Sequence, residues 1–169
     1  MSKRVFVLLG ILLYFAVPAK AQQPIDLFAG YSYQQLDRLP NAIPGRNLSG
    51  IEVAVRYELK EWLGAVGEVD AHWGLPSLYA ARSLNVVVGP QFSLPRAISP
   101  FAQALIGYGH GYSYGIWDNS FSTVVGGGLD LRITPVRYWR VIEVDDVITH
   151  YFGGTQHNPK ISTGIVFRF

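Results

Sequence analysis

The chain has 169 residues, of which 49% are hydrophobic, 14% aromatic and only 15% charged, and it contains no cysteine. Soluble domains carry about 25% charged residues, so a surface that faced water throughout would be short of charge. The lack of cysteine excludes a disulfide framework, and the lack of any Lys/Arg cluster argues against nucleic acid as a partner.

The chain begins with the pattern of a secretory signal. Lys3 and Arg4 precede an apolar run over residues 5–17. This run is shorter than the ~20 residues that a spanning helix needs, so a retained membrane anchor is the weaker alternative.

Small residues at Ala19 and Ala21 provide the cleavage site that such a signal requires. We therefore expect a signal peptide over residues 1–21 and a single mature domain over residues 22–169. Eleven of the 14 basic residues remain in that domain against 12 acidic ones, so its formal charge is close to zero.

The rest of the chain alternates between apolar and polar residues in stretches of about ten, which is the period of a β-strand. The eight stretches are 25–33, 50–59, 63–73, 83–93, 101–110, 121–132, 139–150 and 160–169. Short turns follow the second, fourth and sixth strands, and longer loops follow the others. This alternation predicts an all-β fold, an eight-stranded antiparallel up-and-down transmembrane β-barrel with periplasmic turns and extracellular loops.

The two faces of the predicted strands differ in size as well as in polarity. In the second strand Ile51, Val53 and Val55 alternate with Glu52 and Arg56. The polar faces also carry the small residues Ala54, Gly64, Gly89, Gly107, Gly126 and Gly128. A narrow lumen requires small side chains, whereas large apolar ones need room outside. A soluble barrel with an apolar interior is the alternative, but the low charge and the secretion signal favour polar residues inside and apolar residues toward lipid.

Aromatic residues cluster near the ends of the predicted strands. Those near the turns are Tyr57, Trp62, Phe92, Phe101, Tyr138 and Trp139, and those near the loops are Trp73, Tyr108, Trp117, Phe121 and Tyr151. Two such sets are typical of the aromatic girdles at membrane interfaces. Trp62 and Trp73 are 11 residues apart. At ~3.3 Å per residue and ~45° tilt their vertical separation is ~26 Å, close to the ~25 Å apolar band of such barrels.

The last predicted strand resembles the C-terminal assembly signal of bacterial outer-membrane β-barrel proteins. Ile165, Phe167 and Phe169 share one face, and Phe169 is the final residue. The resemblance implies that the barrel-assembly machinery reads these three residues during biogenesis.

Four segments, 88–92, 126–135, 140–145 and 164–169, resemble small outer-membrane β-barrel proteins of the OmpA-like porin superfamily. The resemblance implies an integral protein of the bacterial outer membrane, in contact with outer-membrane lipid and without a cofactor, and we expect a monomer. Asp146 departs from the pattern because a lipid-facing apolar residue is expected there. The parity of the seventh strand around Asp146, or a bulge there, is therefore left open.

The inward parity of the strands brings acidic and basic side chains together in the predicted lumen. They are Glu52, Arg56, Glu58, Glu68, Asp70, Asp130, Arg132, Glu143, Asp145, Lys160 and Arg168. Eight strands leave an interior that side chains fill, so we predict a structural ion-pair network whose charges neutralise one another. A small porin-like channel through this charged lumen is the alternative.

The sequence favours a structural or surface-interaction role, such as adhesion or ligand contact, over catalysis. The predicted loop over residues 109–119 is rich in Tyr, Gly and Asn, which suit adaptable contact surfaces. A surface hydrolase acting on lipid A would draw on His110 and Ser113, but their odd spacing places them on opposite faces of a strand. The four histidines, His72, His110, His150 and His157, lack the spacing of a metal site.

Overall fold

The computed structural model describes residues 24–36, 46–74, 81–113, 116–150 and 154–169. They form β1 (Ile25–Leu36), β2 (Arg46–Lys60), β3 (Leu63–Trp73), β4 (Arg82–Ser93), β5 (Ile98–Ser113), β6 (Ile116–Thr134), β7 (Arg137–Thr149) and β8 (Gln156–Arg168). Each strand pairs with the next around a closed antiparallel barrel, so the predicted fold is confirmed. The predicted signal peptide with Ala19 and Ala21, and the predicted girdle residue Tyr151, lie outside the described residues. Within those residues no helix is long and apolar enough to span a membrane.

The pairing of the first and last strands closes the barrel. β8 lies antiparallel to β1, with Arg168 opposite Asp26. Beyond this pair, the Phe169 N–H donates to the Ile25 carbonyl at 3.0 Å, and the Ile25 N–H donates to the Phe169 carbonyl at 3.3 Å. Closure pairs the backbone groups that an open sheet edge would leave unsatisfied, which is the condition for placing strands in a bilayer.

Burial alternates along each strand, and the polar face is the inner one. In β3, Val69 and Trp73 are 44% and 50% exposed, whereas Glu68 and Asp70 are 2% and 0% exposed. The same alternation runs through β2 and β4, where the residues predicted to face lipid are exposed. The large apolar side chains therefore cover the outside of the barrel.

Glycines permit close approach of strands and rings inside the barrel. The ring of Phe28 lies over Gly164, where a Cβ would lie 2.8 Å from the ring atom Cε2. A Cβ on Gly107 would lie 2.7 Å from the Cα of Val87 on the neighbouring strand. Real Cβ atoms do not approach other atoms so closely, so these positions have no room for a side chain.

The prediction of a loop over residues 109–119 is wrong, because most of these residues belong to β5 and β6, which pair as a hairpin. His110 pairs with Asn119, and the ladder runs on to Ser113 opposite Ile116. Alternation of Gly with large side chains is compatible with a strand, and pairing satisfies the backbone groups of both segments. Only residues 114–115 separate the two strands.

Strand β7 contains a bulge, but the bulge is not at Asp146. The register against β8 shifts between Arg140 and Glu143, so both of these side chains point inward. Asp146 keeps the regular outward parity, and its Oδ2 lies 2.7 Å from Nδ1 of His157 on β8. The carboxylate is accommodated on the outer surface by a polar partner on the neighbouring strand.

We predict that Gly107→Ala lowers the free energy of unfolding by about 1–3 kcal/mol, since an added methyl forces the backbone of a packed neighbour to move. Gly67→Ala is the matched control, because a Cβ on Gly67 meets only Val88 Cγ1 at 3.9 Å. The measurement is the urea midpoint of each variant refolded in detergent. Equal midpoints for the two variants would contradict the packing described for Gly107.

Candidate functional site

Lys160 lies in the lumen and holds carboxylates from three other strands. Its side chain is completely buried, at 0% exposure. The ammonium Nζ lies 2.9 Å from Glu52 Oε2 on β2 and 3.3 Å from Asp145 Oδ2 on β7, and it also contacts Glu68 Oε1 on β3. An ammonium has three donors, so three carboxylates match its bonding capacity. One side chain thus connects four strands across the barrel.

A second ion-pair cluster lies closer to the turn end, which we define as the end carrying the turns after β2, β4 and β6. The Nε of Arg140 lies 2.9 Å from Asp130 Oδ1, and its Nη1 donates to Glu143 Oε2 at 2.9 Å. The guanidinium carbon lies 4.4 Å and 4.2 Å from the ring centroids of Phe28 and Phe101. Carboxylates bind the edge of the planar cation and the rings cover its faces, which suits arginine and not lysine.

A third cluster connects the closing strands at the turn end. Arg168 donates from Nε and Nη2 to the two carboxylate oxygens of Asp26, each at 2.7 Å. The Nη1 of Arg56 lies 3.3 Å from Asp26 and 3.4 Å from Glu58. The guanidinium of Arg168 also lies 4.5 Å from the ring centroid of Tyr138. The two parallel hydrogen bonds between Arg168 and Asp26 favour this register of β8 against β1.

Toward the opposite end, which we call the loop end, the predicted network residue Asp70 is held mainly by uncharged or histidine partners. Asn85 Nδ2 donates to Asp70 Oδ1 at 2.8 Å. His72 Nδ1 lies 3.0 Å from the same oxygen, and His72 Nε2 lies 2.8 Å from Ser32 Oγ. The lumen therefore changes from arginine clusters to a histidine and amide cluster along its axis.

Acidic side chains outnumber basic ones among the described residues buried in the lumen, so each buried cation binds more than one carboxylate. The carboxylates are Asp26, Glu52, Glu68, Asp70, Asp130, Glu143 and Asp145, and the cations are Arg56, Arg140 and Lys160. Neutral donors add further contacts to carboxylates that already bind a cation: Gln103 Nε2 donates to Glu143 at 2.6 Å, and Ser162 Oγ donates to Glu52 at 2.6 Å. Hydrogen bonds from such groups also stabilise the charged form of a buried carboxylate.

Three predicted site residues are placed elsewhere by the structure. Arg132, predicted inside the lumen, keeps the inward parity opposite Tyr138, but its side chain is exposed because it lies close to the end of β6. Phe101 and Tyr138, predicted in the girdles, point inward and are 7% and 6% exposed. Both rings pack against guanidinium groups of the lumen instead of facing lipid.

The predicted network omits Asp26, Arg140 and His72, which are all buried in the lumen. The parity of the first strand was sufficient to place Asp26 inward, because Ile25 and Leu27 on either side are apolar. The side chain of Arg140 shares the lumen with Glu143 only because of the bulge in β7, for which the sequence has no local signal.

Apolar side chains fill the parts of the lumen between the polar clusters. Val66, Val87, Leu105, Val124 and Val147 point inward and form part of a buried cluster. The cavity bounded by Arg56, Gln91 and Arg140 measures about 10 Å³, which is too small for more than about one water molecule.

On the outer surface the remaining described girdle residues are exposed. At the turn end they are Tyr57, Trp62, Phe92 and Trp139, and at the loop end they are Trp73, Tyr108, Trp117 and Phe121. In the hairpin of β5 and β6, the ring of Trp117 stacks on His110 at 4.5 Å and contacts Tyr112 at 4.7 Å. Asn119 Oδ1 accepts a hydrogen bond from His110 Nδ1 at 2.5 Å. The loop end therefore presents a supported aromatic surface.

The predicted assembly-signal residues lie at the turn end of β8. Ile165 and Phe169 are 36% and 70% exposed, and Phe167 is half-buried beside the guanidinium of Arg137. Ile165 and Phe169 are therefore accessible at the surface of the closed barrel.

Two groups of described residues bear on metal binding and on hydrolysis. Carboxylate oxygens of Glu52, Glu68 and Glu143 lie within 4.8 Å of one another, but Lys160 already supplies a cation to the first two. His110 is bonded to Asn119, and β5 runs straight on to Ser113, so the bend that a hydrolytic pair needs does not occur between these two positions.

Comparison with known proteins identifies the fold. No family model matches the chain, and no curated protein matches its sequence. Among solved structures, Ail, the attachment invasion locus protein of Yersinia pestis, is 19% identical over 88% of this chain and 99% of its own, with a TM-score of 0.64. Neisserial surface protein A is 11% identical over 88% and 100%, with a TM-score of 0.67. The outer membrane protein OprG of Pseudomonas aeruginosa is 11% identical over 87% and 96%, with a TM-score of 0.64. The chain has the fold of small integral outer-membrane β-barrels.

We predict that Lys160→Met destabilises the barrel by about 3–5 kcal/mol, because it leaves three buried carboxylates without their shared cation. Adding Glu68→Gln to Lys160→Met should restore part of this loss. The urea midpoint measures both effects, and Lys60→Met, which removes an exposed lysine from the turn end, is the control. A midpoint unchanged by Lys160→Met would contradict the role assigned to this ion-pair cluster.

Proposed function

We propose that the protein is a monomeric barrel of the bacterial outer membrane whose closed lumen serves stability and whose loop end makes contacts outside the cell. The single observation that supports this best is the complete burial of Lys160 among carboxylates from three strands. A side chain so placed obstructs a water path and holds the wall of the barrel together.

The outer surface supports placement in a lipid bilayer. Apolar side chains such as Ile51, Val88 and Ile106 are 55%, 57% and 54% exposed. A monomeric soluble protein rarely leaves so continuous an apolar surface facing water. The exposed aromatic residues at both ends lie where interfacial girdles are found in outer-membrane barrels. Outer-membrane lipid is thus the first partner of the chain.

The loop end supports a role in surface contact. Trp117, held between His110 and Tyr112, belongs to a hairpin whose strands are the longest in the barrel, at 16 and 19 residues. Rigid aromatic side chains provide contact area at low entropic cost. A structure of Ail has been solved in complex with the heparin analogue sucrose octasulfate, and we propose a comparable contact role, adhesion or ligand binding, for this hairpin.

We predict that purified protein in planar bilayers shows no steady single-channel current of the size expected for an open pore, because side chains fill the described lumen. The same preparation should migrate differently on gels with and without boiling, since folded barrels resist the detergent. Steady large currents would contradict the closed lumen and favour the porin-like alternative. In a separate cell fractionation, recovery of the folded protein outside the outer-membrane fraction would contradict the proposed location.

We also predict that Phe169→Ala lowers the amount of protein inserted in the outer membrane but leaves the urea midpoint of the folded fraction nearly unchanged. The Phe169 side chain is 70% exposed, so it contributes little to packing, whereas the proposed assembly signal requires it. Ile133→Ala is the control, because Ile133 is 61% exposed at the same end. Wild-type insertion of Phe169→Ala would refute the signal, and a lowered midpoint would assign the residue a structural role.

A further inference from the structure

A groove on the outside of the barrel crosses β3, β4, β5 and β6 at the loop end. Its volume is about 570 Å³, and its lining includes Trp73, Arg82, Leu84, His110 and Trp117. Trp73 and Trp117 are 50% and 54% exposed. The groove therefore has aromatic walls on the outer surface, and the buried residues His72 and Ser83 also contribute to its lining.

The strand register arranges the outward residues of these four strands in rows. The row nearest the loops consists of Trp73, Arg82, Tyr112 and Trp117, each opposite the next. Three strand spacings of about 4.8 Å put the two tryptophans about 14 Å apart. Four positions further toward the turn end the row is Val69, Val86, Tyr108 and Phe121, which is entirely apolar or aromatic. The groove thus lies where the polar and apolar parts of the outer surface meet.

Arg82 is the charged group of this groove. Its side chain is exposed and outward, and none of the described carboxylates forms an ion pair with it. An arginine at a membrane interface without an acidic partner is well suited to a phosphate, which its planar fork binds through two hydrogen bonds. Aromatic walls beside such a cation favour the faces of a sugar ring over a bare ion.

The cavity at the turn end has a different chemistry. It measures about 360 Å³ and is lined by Trp62, Phe92, Ser93, Leu94, Pro100, Phe101 and Ala102, so none of its lining residues is charged. A lining without charged residues suits the acyl chains of a lipid. Both cavities are lined by residues of β4 and β5. They therefore differ in their position along the barrel axis, and only the one at the loop end has a charged lining residue.

We propose that the groove at the loop end binds the phosphorylated sugar headgroup of an outer-leaflet lipid, with Arg82 on the phosphate and Trp73 and Trp117 beside the sugar rings. Contact of His110 and Tyr112 with the ring of Trp117 holds one wall of the groove in place before the lipid binds. Preorganisation of this kind lowers the entropic cost of binding. The inference rests on the proposed location in the outer membrane.

The test titrates the full-length mature protein, folded in dodecyl maltoside, with diphosphorylated lipid A and follows tryptophan fluorescence. We expect saturable binding, with affinity about tenfold weaker for Arg82→Gln because a charge-assisted contact to phosphate is lost. Lipid A without phosphates should bind weakly to both proteins. Trp117→Leu should weaken binding of the phosphorylated lipid while the gel shift on boiling stays that of a folded barrel.

Arg132→Gln is the matched control, since Arg132 is an exposed arginine at the turn end. The proposal is overturned if Arg82→Gln binds as tightly as the wild type, if Arg132→Gln weakens binding equally, or if phosphatidylglycerol binds as well as lipid A. Because binding is measured in detergent, it is independent of cell fractionation. A protein found in the outer membrane without Arg82-dependent binding refutes the groove alone, whereas a protein found elsewhere refutes the location.

Discussion

Every backbone donor and acceptor that faces hydrocarbon must find its partner within the protein, and the rest of this structure follows from that constraint. A sheet meets it only when the first and last strands pair, as β1 and β8 do here. Closure with eight strands leaves a narrow interior. The narrow interior in turn explains the inward glycines, the filled lumen and the outward position of most large apolar side chains.

The interior that results is polar, and its acidic side chains outnumber its basic ones among the described buried residues. Lys160, Arg140 and Arg56 bind several carboxylates each, and amide and hydroxyl donors complete the remaining contacts. Lys160 on β8 binds carboxylates of β2 and β3, so its ion pairs add connections across the lumen to the ladder around its wall. Arg140 and Arg56 bind carboxylates on their own and neighbouring strands. Such clusters cost desolvation, and they specify register because removing one partner leaves another charge unpaired.

The two ends of the barrel differ in ways that relate to its surroundings. At the turn end, the outward side chains around the cavity are aromatic and apolar, and the inward rings of Phe101 and Tyr138 cover guanidinium groups. At the loop end, the outer surface combines two tryptophans with an arginine that has no described acidic partner. Because side chains fill the described lumen, binding of a ligand is expected on this outer surface. Such binding needs neither a pore nor a catalytic residue.

The sequence alone determined the number of strands, their approximate positions, the inward polar face and most members of the lumen network, because a period of two assigns each side chain to a face. The same period places Phe101 inward, because Phe101 lies two positions before the inward Gln103. Its position near a strand end instead suggested a place in an aromatic girdle. Only the tertiary structure decided the bulge that brings Arg140 to Glu143 and the hairpin that replaces the predicted loop. Those features depend on pairing between strands, and a one-residue shift in a ladder changes which face a side chain occupies without leaving a mark in the local pattern.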